Sequence, residues 1–150
     1  MKKITAVIAG VIMLLMLAAC GESISLDVNT AADALAENVE FSEELTEVSS
    51  NIALKKYGLD EETVSEAAAY CGTAAVVDEI AVFKTEDTEA VEEKAREHIA
   101  SQKESYESYA PNEVPKLDAA VIETVGDCVI VCVSNDDSES VSSVIAGLSE

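Results

Sequence analysis

The chain has 150 residues, and 30 acidic side chains against nine Lys and Arg give it a net charge of −21. That balance excludes a nucleic-acid binder, whose footprint is a basic patch. It also disfavours lying flat on an anionic membrane, where attraction comes from Lys and Arg. Trp is absent and aromatics make up only 4% of the chain, too few for the aromatic platforms of a sugar-binding cleft, and the length suits one domain.

In chain order, the first segment is a signal. Lys2 and Lys3 precede an apolar run, Ile4 to Ala19, which ends at Leu17-Ala18-Ala19-Cys20-Gly21. A positive start, a short apolar core and small residues before a cut describe a secretory signal peptide over residues 1–19. The run is short of the about 20 apolar residues that a spanning helix needs. Leu-Ala-Ala-Cys-Gly also resembles a bacterial lipobox, which implies that Cys20 is lipidated with palmitate-type chains and becomes the first mature residue. Loss of Lys2 and Lys3 would take the charge from −21 to −23. Two acyl chains suffice for stable anchoring where one is marginal. The expected place is therefore the extracytoplasmic face of the cell membrane. Residues 20–28 are expected to form a tether, of which 21–27 reach at most roughly 25 Å. Residues 29–150 are expected to form one domain.

Within that domain, "TAADALAENV" (30–39) has good helix propensity, with Asn29 as a candidate N-cap. The acidic "EFSEELTEVSS" lacks periodicity. "NIALKKY" (51–57) predicts a second helix, capped by Ser49 or Ser50 and stopped by a left-handed Gly58. "SEAAAYCG" (65–72) and "VVDEIAVFK" (76–84) predict an antiparallel strand pair. Residues 87–109 predict a long helix, with Val91, Ala95, Ile99, Gln102, Tyr106 and Tyr109 on one stripe and Pro111 ending it. Residues 117–135 predict a hairpin turning at Gly126-Asp127. A closing helix follows, capped by Asn135 or Asp136, with Val141, Val144, Ile145 and Leu148 inward. The order α, α, β, β, α, β, β, α predicts an α+β fold: a four-stranded, mainly antiparallel sheet with helices packed on one face.

The lipobox at Cys20, "KKYGLD" (55–60), "DEIAVFK" (78–84), "SYESYAPNEVPKLDAAVI" (105–122) and "GDCVIVCVSNDD" (126–137) together resemble a family of small Gram-positive lipoproteins known only as a domain of unknown function. The resemblance spans residues 30–148. It implies a location and a domain extent, and it carries over no activity and no site residue.

The residues themselves offer few sites. His98 lies beside the helix stripe without a nucleophile motif such as G-x-S-x-G, so a surface histidine is expected. Cys71, Cys128 and Cys132 are expected to be buried, unbridged thiols. Cys128 and Cys132 lie four apart on one strand, about 13 Å, beyond bridging distance, so only Cys71 could pair with one of them. Asn135, Asp136, Asp137 and Glu139 crowd one loop, but the twelve-residue frame and central Gly of a calcium loop are missing, and an acidic helix start is the expectation. Asp78 and Glu79 are adjacent on a strand and must face opposite sides, one of them toward solvent. Glu123 stands alone on its strand. Tyr106 and Tyr109, before Pro111 and Pro115, are expected to close the long helix onto the sheet, the sharper possibility being that one ring forms a partner surface. No catalytic residue, cofactor or metal ligand is expected. A membrane-anchored binding or accessory module with an envelope partner is the leading expectation, and an envelope enzyme or assembly factor is the alternative.

Overall fold

A computed structural model describes residues 24–150. The expected signal peptide and Cys20 lie outside the described residues. Five helices and five strands follow in the order α1 (Val28–Asn38), β1 (Thr46–Val48), α2 (Ser50–Tyr57), β2 (Val64–Cys71), β3 (Glu79–Thr85), α3 (Thr88–Tyr109), α4 (Val114–Asp118), β4 (Val121–Val125), β5 (Cys128–Val133) and α5 (Ser138–Gly147). A single 3₁₀ turn, Pro111–Glu113, joins α3 to α4. No helix among the described residues is long and apolar enough to cross a membrane.

The sheet is antiparallel throughout, in the order β1-β2-β3-β5-β4. It has five strands where the sequence predicts four. The extra one, β1, is a three-residue edge strand inside the acidic stretch that shows no periodicity, too short to carry an alternation signal.

Helices cover both faces, which corrects the one-face expectation. On one face Ile80, Val82, Cys128, Ile130 and Cys132 meet α1 and α5 through Ala31, Leu35, Val141 and Ile145. On the other, Ala81, Phe83, Val129 and Val131 meet α2 and α3 through Leu54, Tyr57, Val91 and Ala95. Strands alternate their side chains between faces, so a strand covered on both sides must be apolar throughout. β5, "CVIVCV", is buried at all six positions for that reason.

Three helix starts, those of α1, α3 and α5, are set by aspartates. Asp27 caps α1 by accepting from the Thr30 amide at 2.8 Å, Asp87 caps α3 from Ala90 at 3.1 Å, and Asp137 caps α5 from Ser140 at 2.9 Å. The caps expected at Asn29 and at Asn135 or Asp136 are thus displaced by one or two residues, to Asp27 and Asp137. Gly58 ends α2 with φ 65° as its position predicts.

Residues 24–27 are a docked strap. The expected tether to residue 28 is correspondingly shorter, since Leu26 and Val28 are buried among the α1 and β5 side chains. The Lys84 ammonium donates to Ser25 Oγ at 3.1 Å and to the Leu26 carbonyl at 3.5 Å. Gly126 turns the β4–β5 hairpin with φ 59°, and a Cβ there would stand 2.0 Å from the Ile24 carbonyl oxygen. The turn must therefore be glycine for two independent reasons.

Candidate functional site

Two ionic clusters sit at one end of the sheet, on opposite faces, built from the adjacent Asp78 and Glu79. Asp78 immediately precedes β3 and Glu79 is its first residue; they are 2% and 1% exposed. The alternation of faces is as the sequence predicts. The expectation that one would reach solvent is overturned, because helices cover both sides.

Glu79 points toward α2 and α3. Its Oε1 lies 2.7 Å from His98 Nε2 and its Oε2 takes a hydrogen bond from Lys56 Nζ at 2.5 Å. An ionised carboxylate only accepts, so the Nε2 proton sits on the imidazole. Burial pushes the Glu79 carboxyl up, but the hydrogen bond and charge of His98, followed by Lys56, outweigh it and hold it below its ordinary value. Burial likewise lowers Lys56, and the Glu79 carboxylate more than offsets this, so the ammonium is held above its ordinary value. His98 is therefore buried and paired, not a surface histidine. It stands next to Ile99 of the stripe, and the neighbouring face of α3 is closed by Tyr57, whose ring lies 4.1 Å from the imidazole. Tyr57 also meets Phe83 edge-on at 4.9 Å.

Two features of this cluster are chemically open. The Tyr57 hydroxyl is buried with no hydrogen-bond partner; burial, then the nearby Glu79 charge, push the phenol well above its usual range. Cys71, cross-strand partner of Glu79, is half-buried and its sulfur accepts from Lys56 Nζ at 3.3 Å. Burial raises the Cys71 thiol, and the Lys56 charge only partly opposes this.

Asp78 turns to the α1 side. It accepts from the Ser42 amide at 2.5 Å and from Lys116 Nζ at 2.8 Å. Lys116 also reaches Glu113 at 2.9 Å, and Glu113 accepts from the Val77 amide at 3.2 Å. For Lys116, burial lowers the ammonium and the hydrogen bonds it donates to Asp78 and Glu113 outweigh this. Together these bonds tie the loop before β3 to the 3₁₀ turn and α4.

The other candidates resolve individually. Cys71, Cys128 and Cys132 are free thiols. Cys128 and Cys132 face α1 and α5, whereas Cys71 faces α2, so the sheet separates Cys71 from both. Burial pushes Cys128 and Cys132 up to about 12. In the acidic loop, Asp136 accepts from the Glu40 amide, Asn135 from Ser42 Oγ, and Asp137 caps α5; these oxygens are taken by donors within the protein. Glu123 accepts from the Ser142 hydroxyl of α5. Tyr106 packs with Val77, Leu117 and Val133, and its single hydroxyl proton is shared between the Ala74 and Val76 carbonyls, both at 3.0 Å. Tyr109 is 67% exposed and leans edge-on against Tyr106 at 5.7 Å. Among the described residues, no group of three His, Cys, Asp or Glu is placed to hold a metal ion.

Two surface clefts are lined by residues outside the ionic clusters. One, of roughly 570 Å³, runs between α1 and β1 past Val39, Phe41, Leu45 and Tyr70. The other, of roughly 890 Å³, lies at the opposite end of the sheet beside Glu61, Glu62, Lys84, Glu86 and Asp127.

Residues 37–134 match the family model described as "Domain of unknown function (DUF4358)". The chain belongs to the DUF4358 family. The match covers the whole sheet and both ionic clusters. Most of α1 and all of α5 lie outside it. No curated protein and no solved structure matches the chain.

Proposed function

We propose that this DUF4358 protein is a lipid-anchored extracytoplasmic module that binds an envelope partner without catalysis. One observation carries the non-catalytic part. The two carboxylates are buried and paired, Glu79 with Lys56 and His98 and Asp78 with Lys116 and Ser42, and neither lines either cleft described above. A catalytic group must come within hydrogen-bond reach of substrate. The anchored part rests on the Leu-Ala-Ala-Cys-Gly stretch before an acidic mature chain. Replacement Cys20→Ser should abolish fatty-acid labelling and release the protein from the membrane fraction. Retention of an uncleaved, unlabelled chain in the membrane would show that residues 4–19 act as a plain anchor. Crosslinking in the native membrane, followed by pull-down, should then recover a discrete protein partner.

The partly exposed Cys71 beside Lys56 favours a second reading, an envelope enzyme or assembly factor with a thiol nucleophile. The two diverge in thiol reactivity. A nucleophilic cysteine is a thiolate near neutral pH, whereas burial raises Cys71. Alkylation of Cys71 by iodoacetamide at pH 7 should be slower than that of a free thiol in solution. Faster alkylation would favour the enzyme.

A further inference from the structure

The strap fixes which end of the domain meets the lipid. We infer that the end bearing the β4–β5 turn and the start of α3 faces the bilayer headgroups, and that the two ionic clusters and Tyr109 point away from it. This rests on the proposed lipidation of Cys20. The geometry comes from four observations at one end of the sheet. The Ile24 carbonyl abuts Gly126. Lys84 holds Ser25 and Leu26. The Cys128 thiol points at the Leu26 carbonyl at 3.7 Å. Ile24 itself is 44% exposed. The chain is thus seated from residue 24, and the four steps back to Cys20 span at most about 14 Å.

The rest follows from strand direction. β3 pairs Lys84 with Cys128 at the strap end and Glu79 with Val133 at the other. α3 starts at Thr88, beside the cleft at the strap end, and its 22 residues carry the chain about 33 Å at 1.5 Å per residue. Its last residue, Tyr109, packs on Tyr106, which donates to the β2–β3 loop at the far end of the sheet. A 14 Å leash at one end of a body about 33 Å tall keeps that end within reach of the lipid and lets the other end stand off from it.

The lipid-facing end is acidic. Glu61, Glu62, Glu86 and Asp127 surround the single Lys84 in its cleft. With a screening length of about 8 Å at physiological salt, anionic headgroups repel this end while the leash holds it within range. The surface therefore rests over zwitterionic lipid and stands at the full reach of its leash over anionic lipid.

The test uses the full chain, lipidated and reconstituted in phosphatidylcholine vesicles, in a Cys71→Ser background. Nitroxide labels are placed at Glu62→Cys or Ser108→Cys, both exposed positions, and a nickel-chelating headgroup lipid serves as relaxer. Relaxation of the label at 62 should be several-fold enhanced over its value without nickel, and that at 108 close to its value without nickel. Adding anionic lipid should reduce the enhancement at 62. Inserting ten Gly/Ser residues after Glu22 should erase the contrast. Equal enhancement at both positions, a reversed order, or a contrast that survives the long tether would overturn the inference. Mass analysis of Cys20 separates the two proposals: an unmodified Cys20 overturns both, whereas a lipidated Cys20 with no contrast overturns the orientation alone.

Discussion

Glu79 is the residue on which the α2–α3 side of the core turns. A buried carboxylate is tolerated only when paired, and removing one partner of such a pair leaves the others as uncompensated charges. Glu79→Leu should cost about 3 kcal/mol, the low end of the range for breaking a buried pair, because Lys56 keeps a route to water. The pH dependence has a defined sign. Glu79 is held below its ordinary 4.5 in the folded chain, so its contribution is complete above that value and is lost as pH falls through the lower folded one. Lys56 is held above 10.5, so its share persists below that value and is lost as pH rises through the higher folded one. Thermal unfolding of the wild type should therefore weaken in acid more steeply than that of Glu79→Leu; parallel acid limbs would refute the assignment. Tyr57→Phe should move stability the other way, by about 1 kcal/mol, since it removes a buried hydroxyl that has no partner. Chemical denaturation would detect it, and a loss of stability would show that the hydroxyl is satisfied in solution.

Among the elements, α3 shows how far a sequence pattern reaches. Its length, the Asp87 start and the stop before Pro111 are legible because 22 residues repeat one stripe. The stripe also contains its own limit. Val91, Ala95 and Tyr106 face inward, but by Tyr109 the helix has passed the edge of the sheet, so periodicity alone overstates the last turn. Tyr106→Ala should cost roughly 3 kcal/mol through lost packing and the hydroxyl's shared hydrogen bond, and Tyr109→Ala should stay within about 0.5 kcal/mol. Equal melting losses for the two would contradict the exposure of Tyr109. Three elements escaped the sequence for physical reasons. β1 is three residues long, and the 3₁₀ turn and α4 are too short for any helical repeat and begin at Pro111 and Val114-Pro115. The buried His98 escaped because its partner, Glu79, is 19 residues away and only the fold brings them together. One signal was present: an acidic pair inside the otherwise apolar "VVDEIAVFK" is unusual for a strand that reads as core.

At the scale of the molecule, a sheet covered on both faces explains why the chain can be strongly acidic and still hold an apolar centre. The charge resides on outward helix surfaces and loops, where it repels itself. Raising salt from about 0.01 to 0.15 M, which shortens the screening length from about 30 to 8 Å, should raise the melting temperature by a few degrees. The opposing loss of exposed pairs such as Arg96–Glu92 and Lys94–Glu97 is small, because water already screens them. Calorimetry across that range checks this, and a melting temperature that falls with salt would show that ion pairs outweigh repulsion. The adjacency of Asp78 and Glu79 has a further consequence, for assembly. Because neighbouring strand residues face opposite ways, sliding β3 by one position exchanges the two carboxylates between faces. Slid one way, Asp78 takes the place of Glu79 and the Lys116 side loses its strand carboxylate; slid the other way, Glu79 takes the place of Asp78 and Lys56 and His98 lose theirs. Either misregistered chain leaves one face without its carboxylate. The dipeptide thus acts as a key that admits a single alignment, and a one-residue insertion or deletion in the 73–77 loop would turn it in the wrong lock.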